Sequence, residues 1–276
     1  MTAPFGEHRP TEFQERMRAA ARTLPDNYVG RKAASLLLGP AGGRTGRAFD
    51  VDIFGGARAR LHPHDNICEK RVYLTPQHWD AEERRFLAEI IARHEEKEFV
   101  FADIGANAGL YSLFACSECR KHTLSFRGIA VEPDREMQRR LTFNLEASGA
   151  KNEVRLFACA VSSSEGNVLF SVNEASRGMS RISSDGEIST PARPLADILA
   201  EAAANRLDFM KIDIEGHEHA VLEPFFSEAP RHLHPRWIQL EISHEIANLS
   251  AEELTLRAGY RIAKRTRLNS ILERIA

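Results

Sequence analysis

The chain of 276 residues is long enough to bury a sizeable core, as one large domain or one domain with an N-terminal extension. Its 39 Asp and Glu against 37 Lys and Arg leave a formal charge of -2, which gives no basic field for a nucleic-acid scaffold. No apolar run is long enough to span a bilayer, and the N-terminus lacks the apolar stretch of a secretory signal, so we expect a cytoplasmic protein.

The N-terminal part predicts helices and a hairpin. Residues 11–38 carry apolar side chains at helical spacing, and residues 48–63 alternate around Gly55 and Gly56, as in a β-hairpin. These elements predict a helical and hairpin extension at the start of the chain.

A longer helix is predicted over residues 75–97, opened by Thr75 with Pro76 in its first turn. We place a domain boundary here, with residues 1–75 as the N-terminal extension and residues 76–276 as the main domain.

The cysteine pair Cys116 and Cys119 forms a C-x-x-C motif late in an apolar helical stretch. A redox pair would lie at an exposed helix start, and a zinc site would need a second such pair, which the sequence lacks. We interpret both cysteines as structural, and all four cysteines of the chain as reduced thiols.

From residue 98 onward, predicted strands and helices alternate, which is typical of a parallel sheet covered on both faces. The predicted strands are 98–105, 126–133, 153–161, 167–172, 207–216, 236–243, 260–266 and 269–275. Residues 173–194 are predicted as a long loop. The predicted fold class is α/β, doubly wound and mostly parallel.

Ligands of such folds bind at the carboxyl ends of the strands, where this sequence places acids. Asp103 ends the first strand and is followed by Gly105 and Gly109, a G-x-x-x-G spacing rather than the G-x-G-x-x-G of dinucleotide sites. A phosphate would be repelled by Asp103, whereas a ligand with an ammonium and a sulfonium would be attracted. The loop therefore favours S-adenosylmethionine over NAD.

Glu132 ends the second strand, where a carboxylate can accept hydrogen bonds from both ribose hydroxyls. The alternative is that Glu132, Pro133 and Asp134 only separate a strand from a helix.

Four stretches together resemble the FkbM-type methyltransferases, which use S-adenosylmethionine: "FADIGANAGLYS", "AVEPD", "DFMKIDIEGHEHAVL" and "IQLEIS". The resemblance spans about residues 65–270, and "KIDIEGHE" is its most specific part. It implies a class I methyltransferase-like Rossmann fold, with seven strands of which one is antiparallel. The cofactor residues that it implies are Asp103, Gly105, Asn107 and Gly109 in the loop, Glu132 on the ribose and Ala160 beside the adenine.

The "KIDIEGHE" stretch also supplies candidate catalytic groups. In this architecture the fourth strand lies beside the first, so Asp213 should face the transferable methyl group. Asp213 or Glu215 could act as a general base or orient His217, a residue type well suited to proton transfer. The alternative is that the acids only hold the loop and cap the next helix, where Glu218 suits the helix dipole.

A metal site is not predicted. His217 and His219 are two positions apart, about 200° around a helix, and could not share one ion. A magnesium site from Asp213, Glu215 and Glu241 stays open as an alternative.

The resemblance implies O-methylation of a hydroxyl, on a glycan or glycolipid sugar or a hydroxylated secondary metabolite. We expect substrate choice to depend on the N-terminal extension and the 173–194 loop, with Glu241 and His244 as further contacts. The alternatives are a NAD-dependent oxidoreductase and a non-catalytic cofactor-binding module. A nucleic-acid acceptor is not expected, because the fourth strand ends in "DIEG" and the net charge is negative.

Overall fold

The computed structural model describes residues 3–171, 181–182, 186, 188–242 and 250–275. The helices are α1 (Glu12–Arg22), α2 (Tyr28–Leu37), α3 (Ile67–Leu74), α4 (Ala81–Ala92), α5 (Leu110–Lys121), α6 (Arg135–Ala147), α7 (Leu195–Glu201), α8 (Glu218–Glu228) and α9 (Ala251–Arg257). The strands are β1 (Phe49–Ile53), β2 (Ala57–Leu61), β3 (Glu98–Ile104), β4 (Ser125–Val131), β5 (Val154–Phe157), β6 (Ala160–Val161), β7 (Gly166–Ser171), β8 (Arg181–Ile182), β9 (Ile188–Arg193), β10 (Phe209–Ile212), β11 (Trp237–Glu241), β12 (Tyr260–Arg265) and β13 (Asn269–Arg274).

The central sheet has seven strands in the order β12-β13-β11-β10-β3-β4-β5. Strand β13 runs antiparallel to both of its neighbours, and the other pairings are parallel. Apolar runs fill β3 and β10 because helices cover both faces of the sheet. The predicted doubly wound α/β fold with one antiparallel strand is confirmed, and so is the position of the fourth strand beside the first.

A smaller sheet, in the order β6-β9-β7-β8, corrects two predictions. The predicted strand 153–161 is divided, since β5 joins the central sheet and β6 pairs with β9. The predicted loop 173–194 ends in a strand, because β9 pairs antiparallel with β7. The strand was not predicted because its sequence, "ISTPAR", is largely polar, and only two of its six side chains are buried. Residues 173–180, 183–185 and 187 of that loop, and residue 172 before it, lie outside the described residues.

The predicted hairpin is confirmed as β1 and β2, but both N-terminal helix predictions need correction. Residues 11–38 form two helices, separated by a segment that contains Pro25 and ends at Asn27, the N-cap of α2. The prediction that Thr75 opens a helix is wrong, since Thr75 is the C-cap of α3 and α4 begins only at Ala81. The cause is Pro76, which disfavours helical geometry in the residue before it.

The N-terminal elements share a hydrophobic core with one face of the central sheet. Phe49 and Tyr73 are buried in the same cluster as Phe101 and Phe209. The predicted boundary at residue 75 stays a prediction. Cys116 and Cys119 are buried in α5, as expected for structural residues. Within the described parts of the chain, no helix has the length and apolar character needed to cross a membrane.

Arg140 joins α6 to the segment that leads into α3. Its guanidinium, 6% exposed, donates to Asp65 at 2.6 and 2.9 Å and to the fully buried Glu69 at 2.8 Å. The two carboxylates raise the pKa of Arg140, although burial opposes its charge.

We predict that Arg140→Met lowers the free energy of unfolding by about 3–5 kcal/mol, because it leaves a buried carboxylate without its cation. Urea denaturation would measure the change. The control is Arg139→Met, which removes a neighbouring guanidinium that is 70% exposed. Equal losses in the two variants would contradict the prediction.

Candidate active site

A cavity opens at the carboxyl ends of β3, β4 and β10. The predicted site residues in its lining are Asp103, Gly105, Asn107, Glu132, Ala160, Asp213 and Glu215. Gly109 and His217 are outside the described lining. Gly109 instead lets α5 start close to α6, since a Cβ there would lie 2.9 Å from Leu141 Cγ.

Gly105 joins the glycine loop to the "KIDIEGHE" stretch. Its φ is +78°, and a Cβ at this position would lie 2.0 Å from the backbone oxygen of Asp213. The amides of Gly105 and Ala106 both donate to the Val131 carbonyl at 3.0 Å. The turn thus brings the ends of β3, β4 and β10 into direct contact, which only glycine permits.

Glu132 holds the same loop from the other side. Its side chain accepts hydrogen bonds from the backbone amides of Asn107 at 2.7 Å and Asp134 at 2.8 Å. Burial raises the pKa of Glu132 to about 7. Asp134, rather than Glu132, caps α6 by accepting from the amides of Glu136 and Met137. The loop amide that would face a pyrophosphate in a dinucleotide site is therefore occupied by a carboxylate.

Asp103 is 1% exposed, at the end of β3. Its Oδ2 accepts from the Ser112 amide at 3.0 Å and hydroxyl at 2.7 Å. Its Oδ1 is buried and has no hydrogen-bond partner among the residues that the structure describes. Burial raises the pKa of Asp103, while the charge of Lys211 acts in the opposite direction. A buried acceptor of this kind, in a cavity wall, fits an ammonium group.

Lys211 is a site residue that the sequence analysis missed. It is the register partner of Asp103 on β3, and its Nζ lies 3.0 Å from Asp213 Oδ2 and 5.2 Å from the Tyr111 ring centroid. Burial opposes the ammonium charge, but Asp213 and Asp103 outweigh it and raise the pKa of Lys211. The signal was a lysine inside an apolar strand, two positions before Asp213 and so on the same face.

Asp80 is the second missed residue. It adopts φ 41° just before α4, makes no cap hydrogen bond with its side chain, and lines the cavity beside Trp79. The Tyr111 hydroxyl donates to Asp80 at 3.1 Å and accepts from the Gln239 amide at 3.0 Å. Burial, assisted by the charge of Glu83, raises the pKa of Asp80. The incorrect helix start at Thr75 hid this turn.

The turn after β10 orients the predicted catalytic acids. The strand ends at Ile212, so Glu215 and His217 are not on alternate positions of one strand. Glu215 adopts φ 56°, an uncommon conformation for a residue other than glycine. The Glu218 side chain accepts from the Ile214 amide at 2.8 Å and from the Gly216 amide at 3.4 Å, which closes the turn.

His217 is the N-cap residue of α8, and its predicted role in proton transfer stays a prediction. Asp213, Glu215 and Glu241 each offer a carboxylate oxygen, all within 4.8 Å of one another. Such a set suits a hard cation, but acidic groups often cluster without one. The prediction of no metal stays a prediction, and His244 lies outside the described residues.

The strand order of the central sheet, with acids at the ends of β3 and β4, defines a class I methyltransferase fold. A model of the methyltransferase FkbM domain matches residues 103–262, which is more than half of the chain. The chain belongs to this family of methyltransferase domains. No curated protein matches the sequence.

Similar solved structures include methyltransferase FkbM from Methylobacillus flagellatus KT, with 15% identity over 93% of this chain and 57% of that one, at a TM-score of 0.46. A METTL16 MTase domain has 13% identity over 93% and 87% of the two chains, at a TM-score of 0.47. Human methyltransferase 10 domain containing protein has 15% identity over 94% of each chain, at a TM-score of 0.46. The chain spans little more than half of the first protein's length.

We predict that Gly105→Ala lowers the free energy of unfolding more than Gly149→Ala does. Both glycines have positive φ, but no atom lies within 4 Å of a Cβ at position 149. Gly149→Ala should therefore cost only the left-handed strain, about 1–2 kcal/mol. Urea denaturation of both variants would separate the steric overlap with Asp213 from the cost of a left-handed backbone. Equal decreases in the free energy of unfolding would contradict the close contact between Gly105 and Asp213.

Proposed function

We propose that the protein transfers a methyl group from S-adenosylmethionine to a hydroxyl of a glycan or glycolipid sugar, or of a hydroxylated metabolite. The observation that carries this proposal is that Asp213 and Glu215 line the same cavity as Asp103 and Glu132. A hydroxyl acceptor benefits from a nearby base, and both acids are within the cavity where the methyl group would be delivered.

In this proposal the cofactor-binding residues are those of the glycine loop and the two strand ends. Asp103 Oδ1 would accept from the ammonium of the methionine moiety, and Glu132 would accept from the ribose hydroxyls. Gly105 and Asn107 would contact the cofactor from the loop, with Ala160 on the adenine side. When bound, the cofactor supplies an electrophilic methyl group on a sulfonium.

For the base we propose Asp213 or Glu215, with His217 as the further candidate. The ammonium of Lys211 donates to Asp213 at 3.0 Å and so holds this carboxylate in position in the cavity. Glu215 extends from a tight turn into the same cavity. The proton of the acceptor hydroxyl would pass to one of these carboxylates as the oxygen attacks the methyl carbon.

We propose a small molecule or glycan acceptor, because the net charge of -2 gives no general attraction for nucleic acid. A NAD-dependent activity is disfavoured by the carboxylate of Glu132 on the Asn107 amide. A substrate-selecting role of residues 1–75 and a cytoplasmic location stay predictions.

The experiment is a calorimetric titration with S-adenosylhomocysteine, with and without EDTA, beside a titration with NAD. We expect micromolar binding of S-adenosylhomocysteine and none of NAD. Asp103→Asn and Glu132→Gln should each weaken binding about tenfold or more, since each removes a charge-assisted hydrogen bond. Asp197→Asn, an exposed acid on α7, is the control. Absence of binding to the wild-type protein would overturn the proposed cofactor site.

Binding should also depend on pH through Glu132. Because burial raises its pKa to about 7, this carboxyl is ionised above that pH and protonated below it. Only the ionised form accepts hydrogen bonds with both oxygens, so S-adenosylhomocysteine affinity should fall about tenfold from pH 8 to pH 6. Glu132→Gln should lose this dependence. If the affinity for S-adenosylhomocysteine changed with pH equally in the wild type and in Glu132→Gln, Glu132 would not be the group responsible.

A further inference from the structure

A second cavity adjoins the active site, and Trp79 and Asp80 line both. Its walls come from α2, α3, the turn before α4 and the connection from β12 to β13. We call this second cavity the side groove. Trp79 and Asp80 therefore form a wall that the two cavities share, and a ligand in the side groove would lie beside Asp80.

The acids of the side groove already have partners. Asp26 pairs with Arg31 at 2.9 Å, and Glu82 pairs with Lys264 at 3.1 Å. Glu83 accepts from the Thr266 hydroxyl at 2.5 Å and the Asn269 side chain at 3.0 Å. Asp26 and Glu82 are thus neutralised by cations, whereas Glu83 is bound by neutral donors, and Asp80 at the junction accepts from the Tyr111 hydroxyl.

The cations of the side groove differ from its acids. Lys70, Arg71 and Arg267 line it, and across the part of the chain that the structure describes none of their side chains is within ion-pair distance of an acid. His78 lies in the same wall. These three cations without acidic partners distinguish one part of the side groove from the reaction cavity, whose lining is rich in carboxylates.

We propose that the side groove binds the methyl acceptor, and that this acceptor carries an anionic group, a carboxylate or a phosphate, besides its hydroxyl. This inference rests on the proposed function. Arg71 and Arg267 present planar guanidinium groups that suit either anion, and Lys70 adds a point charge. The carboxylates of Asp80, Asp213 and Glu215 would repel the anionic end, which leaves the hydroxyl end toward the reaction cavity.

The test measures binding rather than turnover. The protein is first saturated with S-adenosylhomocysteine. It is then titrated separately with glucuronate, glucose 6-phosphate and uncharged glucose, and ligand-observed NMR measures the binding of each sugar. We expect one or both charged sugars to bind in the millimolar range and glucose about tenfold or more weaker. The two charged probes distinguish a carboxylate from a phosphate as the recognised group.

The triple variant Lys70→Ala, Arg71→Ala, Arg267→Ala should lose this preference and keep its affinity for S-adenosylhomocysteine. The control removes three exposed cations in surface ion pairs, as Arg16→Ala, Arg93→Ala, Arg257→Ala, and so matches the change in net charge. If the wild-type protein did not bind S-adenosylhomocysteine, the proposed function itself would be wrong, rather than this inference alone.

Three results would overturn the inference. They are equal binding of glucose and the charged sugars, no binding of either charged sugar, and equal losses in the triple variant and its control. An RNA oligonucleotide serves as a further probe. If it bound the wild type in a salt-dependent manner, lost binding in the triple variant and displaced no sugar, the side groove would be a nucleic-acid site and the inference would be wrong.

Discussion

The site depends on one buried cation, the ammonium of Lys211. Lys211 is the register partner of Asp103 on β3, and its ammonium lies 3.0 Å from the Asp213 carboxylate. Two carboxylates in such surroundings cannot both stay ionised without a counter-charge, and one would take up a proton. The pairing of β10 with β3 therefore places a buried counter-charge close to both acids. The lysine of the "KIDIEGHE" stretch thus has an electrostatic role, which its position inside an apolar strand indicates.

The cofactor loop and the catalytic turn form one structural unit. Gly105 packs against the Asp213 backbone, while Glu132 binds the Asn107 amide and so holds the loop against the end of β4. A change at any of these positions shifts the others, because each contact is between backbone atoms or a buried carboxylate and the backbone. This tight packing explains how short stretches that are far apart in the sequence define a single site.

The strand ends and the glycine loop could be predicted because they depend on local pattern. Buried apolar runs that stop at an acid or a glycine indicate where parallel strands end. Lys211 and Asp80 could not be found in this way, since their importance comes from partners on other elements, Asp213 and Tyr111. Strand β9 was missed because its stability comes from pairing with β7 rather than from an apolar face. The incorrect helix start at Thr75 had a local cause. Pro76 was interpreted as part of the first turn of a helix, whereas it follows the end of α3.

The two adjoining cavities differ in the charged groups that they offer to a ligand, and this has a consequence for the proposed reaction. The carboxylates around Lys211 favour a cationic donor, while Lys70, Arg71 and Arg267 in the side groove favour an anionic acceptor. Methyl transfer removes the positive charge from the donor sulfur, and with it part of the attraction that the cavity exerts. The anionic group of the acceptor is unchanged by the reaction. On these grounds the protein should release the used donor more readily than the methylated acceptor, and the side groove would control how quickly the acceptor site is cleared.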